Sequence, residues 1–202
     1  MSRILLNTWL ALIGMFAGSA MAAATVGKAA PDFTLNDLNG KAVKLADFKG
    51  KHVVLEWHNK HCPFVMKHYE SGNMQSLQNR YDFKDTVWLS INSTNPGHQD
   101  YMRTDQLKAY LAETKAAPDA YLTDADGKVG LEYAARTTPH MYIIDPAGTL
   151  VYAGAIDDKR STSKDDIKTA RNYVVAAMDE LRTGKPVSTP ATQPYGCSIK
   201  YK

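Results

Sequence analysis

The 202-residue chain is 44% hydrophobic and 22% charged with a formal net charge of +3, the balance of an ordinary globular protein long enough for one well-cored domain. Nothing in that balance fits a nucleic-acid or membrane-surface partner.

The first two dozen residues stand apart. Arg3 precedes an apolar run from Trp9 to Ala17, and the small residues Ser19-Ala20-Met21-Ala22-Ala23-Ala24 follow it. This is the pattern of a secretory signal peptide over residues 1–24, cleaved after Ala22 or Ala24. The run is short for a span and lacks a stop-transfer charge, so the mature protein is expected to be periplasmic or secreted, with no stable membrane insertion. Export bears on the two cysteines, Cys62 and Cys197, because disulfides persist outside the cytoplasm and an even count invites pairing.

Residues 27–45 form two short alternating runs about a turn containing Gly40, which predicts a β-hairpin. After the loop Asp47–Lys51, the apolar Val53-Val54-Leu55 predicts a buried strand ending at Trp57. The stretch from His58 to Cys62 is then a turn, and a helix is expected from Pro63 to about Arg80, with Phe64, Val65, Tyr69 and Leu77 at helical spacing. Pro63 suits the first helical position, so Cys62 falls at the N-cap. There, unpaired backbone N–H groups and the positive end of the helix dipole favour thiolate over thiol, the setting of a reactive cysteine. A protonated His61 beside it would act in the same sense.

Further along, Thr86–Ile91 reads as a second core strand and Asn92–Gly97 as a loop, in which Asn92-Ser93-Thr94 is better taken as a polar turn than as a glycosylation site. A helix from near Thr104 to Lys115 precedes a short strand, Tyr121–Thr123. The turn Asp124-Ala125-Asp126-Gly127 lacks the later ligands of a calcium loop. Met141–Ile144 and Thr149–Tyr152 flank Asp145-Pro146-Ala147-Gly148 as a second hairpin. The last helix is placed from near Ser163, with Ile167, Ala170, Val174, Ala177, Met178 and Leu181 as its buried stripe and Gly184 stopping it. Beyond it, Pro186, Pro190 and Pro194 punctuate an extended arm that reaches about 40 Å at ~3.1 Å per residue, enough to bring Cys197 to Cys62. Tyr195, Ile199 and Tyr201 around Cys197 have the character of a docking segment. His52, His68 and His98 are expected at the surface.

Several motifs together carry a family resemblance. They are Ala30-Pro31-Asp32-Phe33-Thr34-Leu35, Val53-Val54-Leu55-Glu56-Trp57, the Cys62-bearing helix start, Thr138-Pro139 before a strand, and Ile143-Ile144-Asp145-Pro146-Ala147-Gly148. As a set they resemble the thioredoxin-like redoxin superfamily over about residues 26–183, in the branch holding AhpC/TSA peroxiredoxins and TlpA-like periplasmic oxidoreductases. Cys62-Pro63-Phe64-Val65 combined with Tyr195-Gly196-Cys197-Ser198-Ile199-Lys200-Tyr201 is similar to a group of exported redoxins. The resemblance implies a three-layer α/β/α sandwich with an N-terminal β-hairpin, followed by an extended tail over residues 184–202. It implies a thiol-dependent oxidoreductase without a cofactor, whose partners are protein or small-molecule disulfides or thiols and a reductant.

Residue by residue, the resemblance puts Cys62 on the nucleophile, the first cysteine of Cys-x-x-Cys, and Pro139 on the cis-proline facing it. The Thr138 backbone would then be presented to an extended substrate chain. Glu56 falls on the buried acid that relays protons to the second cysteine, although the sequence alone leaves open a rim carboxylate. The departures matter as much. Val65 occupies the place of the second cysteine, so Cys197 is the resolving candidate. The proline and threonine of the peroxiredoxin pattern read Leu55 and Asn59, and its arginine falls on Pro139, with Arg136 close in sequence. The leading reading is therefore thiol–disulfide exchange at Cys62 with resolution by Cys197. The alternatives are a peroxiredoxin-like peroxidase with antioxidant activity, a copper or zinc assembly factor using His58, His61, Cys62 and His140, and a non-catalytic module stapled by Cys62–Cys197.

Overall fold

The computed structural model describes residues 23–81 and 84–202, so the expected signal segment, apart from Ala23 and Ala24, lies outside the described residues. Its organising strand is β3 (His52–Trp57), which is parallel to β4 (Thr86–Asn92) from His52↔Thr86 to Trp57↔Ile91 and antiparallel to β7 (His140–Ile144) on its other edge. Outward from β4 come β5 (Ala120–Thr123), parallel, and then the antiparallel hairpin β1 (Thr34–Asp37) and β2 (Ala42–Lys44). Outward from β7 comes β8 (Leu150–Gly154), completing a seven-stranded sheet in the order β2-β1-β5-β4-β3-β7-β8. Both expected hairpins and the central strand–helix–strand unit are present.

The two-residue period of the strands divides the core between the faces of the sheet. Val53, Leu55 and Trp57 of β3 join Val87, Leu89 and Ile91 of β4 on one face, over Phe33, Tyr133 and the short helix α4 (Lys128–Glu132). Val54 and Trp88 face the other way. There they meet α1 (Pro63–Glu70), α2 (Asn73–Arg80), α3 (Thr104–Thr114) and α5 (Tyr173–Arg182), through Val65, Met74, Leu107 and Met178 among others. Helices on both sides of a mixed sheet make the three-layer sandwich of a thioredoxin fold. Among the described residues, no helix is long and apolar enough to cross a membrane.

Three elements depart from the sequence expectation. The helix expected from Pro63 to Arg80 is broken at Ser71-Gly72, where Gly72 takes φ 75°, a left-handed conformation that glycine adopts without steric cost. The break lets α2 re-aim Met74 and Leu77 into the same core that α1 lines. The last helix begins ten residues later than expected: Lys164–Lys168 is a 3-10 turn with no buried residue, and α5 starts only after Asn172. Ile167 and Ala170 are thus outside the helix, and its stripe is Val174, Ala177 and Met178. Finally, α4 is too short to show a period in sequence, and is initiated by Asp124, whose carboxylate accepts from Ser93 Oγ (2.6 Å), Val129 N (3.2 Å) and Gly130 N (2.8 Å). That employment, rather than calcium, accounts for the acidic turn.

The arm after α5 is laid down on the domain. Ala153 N donates to Pro190 O (3.1 Å) and Thr192 N to Ala153 O (3.2 Å), alongside β8. The chain then forms β9 (Cys197–Ser198), antiparallel to β6 (Thr137–Thr138) in the register Thr137↔Ser198 and Thr138↔Cys197.

The placement of the α5 start is testable. Asn172 Oδ1 accepts from Val175 N at 3.0 Å, so Asn172→Ala is expected to lower unfolding stability by about 1 kcal/mol, whereas Ser163→Ala, at the start suggested by sequence, is expected to leave the urea midpoint unchanged.

Candidate active site

The turn that carries Cys62 is built by Asn59. His58 N still bonds Ile91 O (2.8 Å), extending the parallel ladder beyond β3. Asn59 then folds the chain back: its Oδ1 accepts from His61 N (2.8 Å), its carbonyl accepts from Cys62 N (3.1 Å), and its Nδ2 donates to Thr94 Oγ1 (3.2 Å). Cys62 is delivered to the N-cap of α1 with extended backbone (φ −84°, ψ 119°), Pro63 follows at the helix start, and the Cys62 carbonyl accepts from Val65 N and Met66 N, both at 2.9 Å.

The sequence places the sulfur against the helix N–H groups, and here the structure differs. Cys62 makes no side-chain capping bond, and its Sγ instead donates to the carbonyl of Thr138 at 2.9 Å. The Thr138–Pro139 peptide is cis, and the carbonyl just before the proline meets the Cys62 thiol. On the opposite side Cys197 N donates to Cys62 Sγ at 3.3 Å. Both cysteines are thiols, and Cys62 is only 2% exposed because the tail covers it. The approach is so close that a Cβ on Gly196 would lie 2.0 Å from Thr138 O, and Gly196 sits at φ 138°; no other residue fits there. The Cys197 thiol is pushed up to about 12, first by burial, then by hydrogen bonding to Cys62 and by the Cys62 charge, with Lys200 pulling the other way.

Of the remaining expected residues, His61 is exposed, at the end of a groove between α1 and α3 that Lys60, Met66, Tyr69 and Tyr110 also line. Glu56 is fully buried rather than on a rim. It accepts from Tyr69 Oη (2.9 and 3.1 Å), Trp88 Nε1 (3.0 Å) and Ser90 Oγ (3.0 Å); burial raises its carboxyl above the usual range and these donors oppose the rise. Its bonds hold α1 to the sheet through Tyr69.

The residues of the metal alternative go to separate networks. His58 lies among Tyr69, Tyr110 and Tyr121, with Nδ1 2.7 Å from Tyr121 Oη and Nε2 3.3 Å from Tyr110 Oη. His140 Nδ1 is engaged by Tyr142 Oη (3.1 Å) and Arg136 N (3.3 Å). Burial brings both imidazoles down to about 3. Among the described residues, no three His, Cys, Asp or Glu side chains are grouped to hold a metal ion.

Sequence reasoning missed a second polar cluster. His68, expected at the surface, is fully buried, as is its neighbour Lys67, because α1 turns both toward Asp157. Lys67 Nζ lies 3.4 Å from Asp157 Oδ2 and donates to Lys159 O (2.9 Å), and Tyr195 donates its hydroxyl to Asp157 Oδ1. Burial brings His68 down to about 4. The available signal was Tyr195 two residues before Cys197; Asp157 had none.

A cysteine at the N-cap position of α1, facing the residue before a cis-proline beside this sheet, is the site of a thioredoxin-like, thiol-dependent oxidoreductase. The chain belongs to the AhpC/TSA family, whose model matches residues 26–153. It is 31% identical over 126 residues to the thiol-disulfide oxidoreductase ResA of Bacillus thuringiensis subsp. konkukian, covering 56% of this chain and 72% of that one. Among solved structures it is similar to an uncharacterized conserved protein of Geobacillus kaustophilus (TM-score 0.73, 31% identity, 88% of this chain and 93% of that one). A hypothetical protein of Sinorhizobium meliloti 1021 is also similar (TM-score 0.74, 26% identity, 89% and 96%). Against the peroxiredoxin pattern, Leu55 is core, Asn59 is committed to the turn, and Arg136 is exposed, its carbonyl accepting from Ile199 N (3.0 Å).

The three buried histidines make stability pH-dependent. His58, His68 and His140 bind protons near 6.5 when unfolded but only near 3 to 4 when folded, so the unfolded chain takes up the excess protons between these values. Their contribution is complete above about pH 6.5 and is lost as pH falls, by up to about 1.4 kcal/mol per pH unit for each histidine. Glu56, raised in the fold, acts in the opposite sense, its contribution being lost as pH rises through its folded value. Urea unfolding is thus expected to show a midpoint that drops from pH 7 to pH 5; an unchanged midpoint would contradict three neutral buried imidazoles.

Proposed function

We propose that this is an exported thiol–disulfide oxidoreductase in which Cys62 attacks and Cys197 resolves. The observation that carries the reading is the 3.3 Å contact of Cys197 N with Cys62 Sγ, in a chain whose Cys-x-x-Cys position is filled by Val65. In this reading residues 1–24 direct export, residues 26–183 form the redoxin domain, and residues 184–202 are a working arm.

The Cys62 thiolate attacks one sulfur of a substrate disulfide, forming a Cys62–substrate disulfide and expelling the other substrate sulfur as thiolate. Cys197 then attacks the Cys62 sulfur; the Cys62–Cys197 bond forms, the substrate's second thiolate leaves, and it takes the proton that Cys197 gives up. Two electrons have passed from the protein dithiol to the substrate, and an external dithiol restores them. Behind burial, Cys62 supplies two of the causes that raise the Cys197 thiol, and its charge is lost when Cys62 enters the mixed disulfide, which eases deprotonation of Cys197 for the second step. Thr138 and cis-Pro139 present backbone to the chain under attack, His61 exchanges protons with departing thiolates at the exposed rim, and Glu56 positions α1 through Tyr69.

Peroxide reduction is the second reading, favoured by the family match and opposed by the absence of the threonine and arginine that would polarise an O–O bond.

Alkylation and intact mass after graded reduction, combined with turnover on a small disulfide, test the exchange reading. Cys62→Ser is expected to abolish turnover. Cys197→Ser is expected to perform the first step and accumulate the Cys62 adduct. Wild-type turnover by Cys197→Ser with every reductant would remove the resolving role, and a Cys62–Cys197 bridge resistant to mild thiol would favour a permanent staple.

A further inference from the structure

The tail lies in front of Cys62 as a bound peptide would. Residues Cys197 and Ser198 pair antiparallel with Thr137 and Thr138, immediately before the cis-proline. Two residues before Cys197, Tyr195 enters a pocket and is only 4% exposed. Its ring meets Phe64 edge-on at 5.7 Å, Lys67 Nζ stands 5.8 Å from the ring centre, and its hydroxyl donates to Asp157.

The chemistry of this pocket is not that of a simple anchor. Lys67 and Asp157 are 1% and 2% exposed, and burying such a pair costs desolvation that an apolar contact would avoid. What a buried carboxylate gains over an apolar wall is discrimination: a site built to accept a hydroxyl rejects the analogue without one. A resolving tail must also vacate the groove whenever Cys62 meets a substrate, so the pocket opens in each cycle.

We propose that the groove in front of Cys62 binds extended, disulfide-bonded peptide segments. In it, the Phe64–Lys67–Asp157 pocket is a specificity subsite that selects a tyrosine two residues before the cysteine under attack. The chain's own tail is the tethered mimic of that substrate. The residue between them must be glycine, because a Cβ at that position meets Thr138 O at 2.0 Å. This rests on the exchange reading and names its substrate class: protein chains carrying a Tyr-Gly-Cys segment in a disulfide.

The test uses the full-length chain with Cys197→Ser, which stops the cycle at the mixed disulfide. Peptides of sequence Pro-X-Gly-Cys-Ser-Ile-Lys, with X as Tyr, Phe or Ala, carry 5-thio-2-nitrobenzoate in disulfide linkage on the cysteine. Attack by Cys62 on the peptide sulfur breaks that bond, forms the Cys62–peptide disulfide and releases one coloured thiolate, and intact mass confirms the adduct. The Tyr peptide is expected to react about tenfold faster than the Phe peptide, the scale of one hydrogen bond to a charged acceptor, and faster still than the Ala peptide. A Tyr-Ala-Cys peptide should be slow. In Asp157→Ala, which removes the acceptor, the Tyr-to-Phe ratio is expected to fall to about one; should that variant not fold, the peptide series on the Asp157 protein decides the matter alone. Equal rates for Tyr, Phe and Ala peptides, with the symmetrical small disulfide still reacting, would overturn the subsite alone. No release from any disulfide, the small one included, would overturn the exchange reading and the subsite with it.

Discussion

The backbone of Thr138 is the point on which the site depends. Its carbonyl takes the Cys62 thiol hydrogen at 2.9 Å, and its strand pairs with Cys197. Its oxygen also leaves room for nothing larger than glycine at position 196. The cis peptide turns that carbonyl toward the helix start while β7 continues into the sheet beside β3. Cys62, Cys197 and the edge that Cys197 pairs with are therefore gathered around a single peptide group, in the two-stranded β6–β9 ribbon that leads into β7.

Around it the domain encloses two polar networks. Glu56 sits at the middle of the sheet with three donors, and Asp157 serves Lys67, Tyr195 and the 159 amide. Each network joins separate elements: Glu56 ties α1 to β3 and β4, and Asp157 ties α1 to the tail. Such networks contribute less to stability than an apolar core of equal volume, but they fix which elements meet.

Much of this was legible in the chain. The alternation around Val53–Trp57, the turn residues of both hairpins and Pro63 after Cys62 dictate local geometry, so sheet, hairpins and the place of Cys62 at the α1 N-cap follow from short-range rules. Thr138-Pro139 was readable only through family resemblance. The rest depended on long-range contacts that leave no local period: Lys67 and His68 look like the polar face of a helix until Asp157, ninety residues away, takes them inward. The late start of α5 is hidden in the sequence for a related reason. Ile167 and Ala170 continue the apolar spacing of the true helix, while the cap that sets the boundary is Asn172.

Finally, the tail is held on both sides of Cys197. Before it, Thr192 Oγ1 bonds Tyr152 Oη (2.7 Å) and Ala155 N (2.9 Å); after it, Asn95 takes the carbonyls of Lys200 and Tyr201, and Tyr201 Oη bonds Ala135 O (2.8 Å). Residues 193–198 thus form a short span pinned at both ends, so that Cys197 stays tethered beside Cys62 even when displaced from it. A tethered thiol of this kind acts at an effective concentration on the order of millimolar. In the proposed exchange cycle, dissolved thiols below that level would be outcompeted as resolvers of Cys62, and an incoming chain would have to displace a competitor that stays tethered beside the groove.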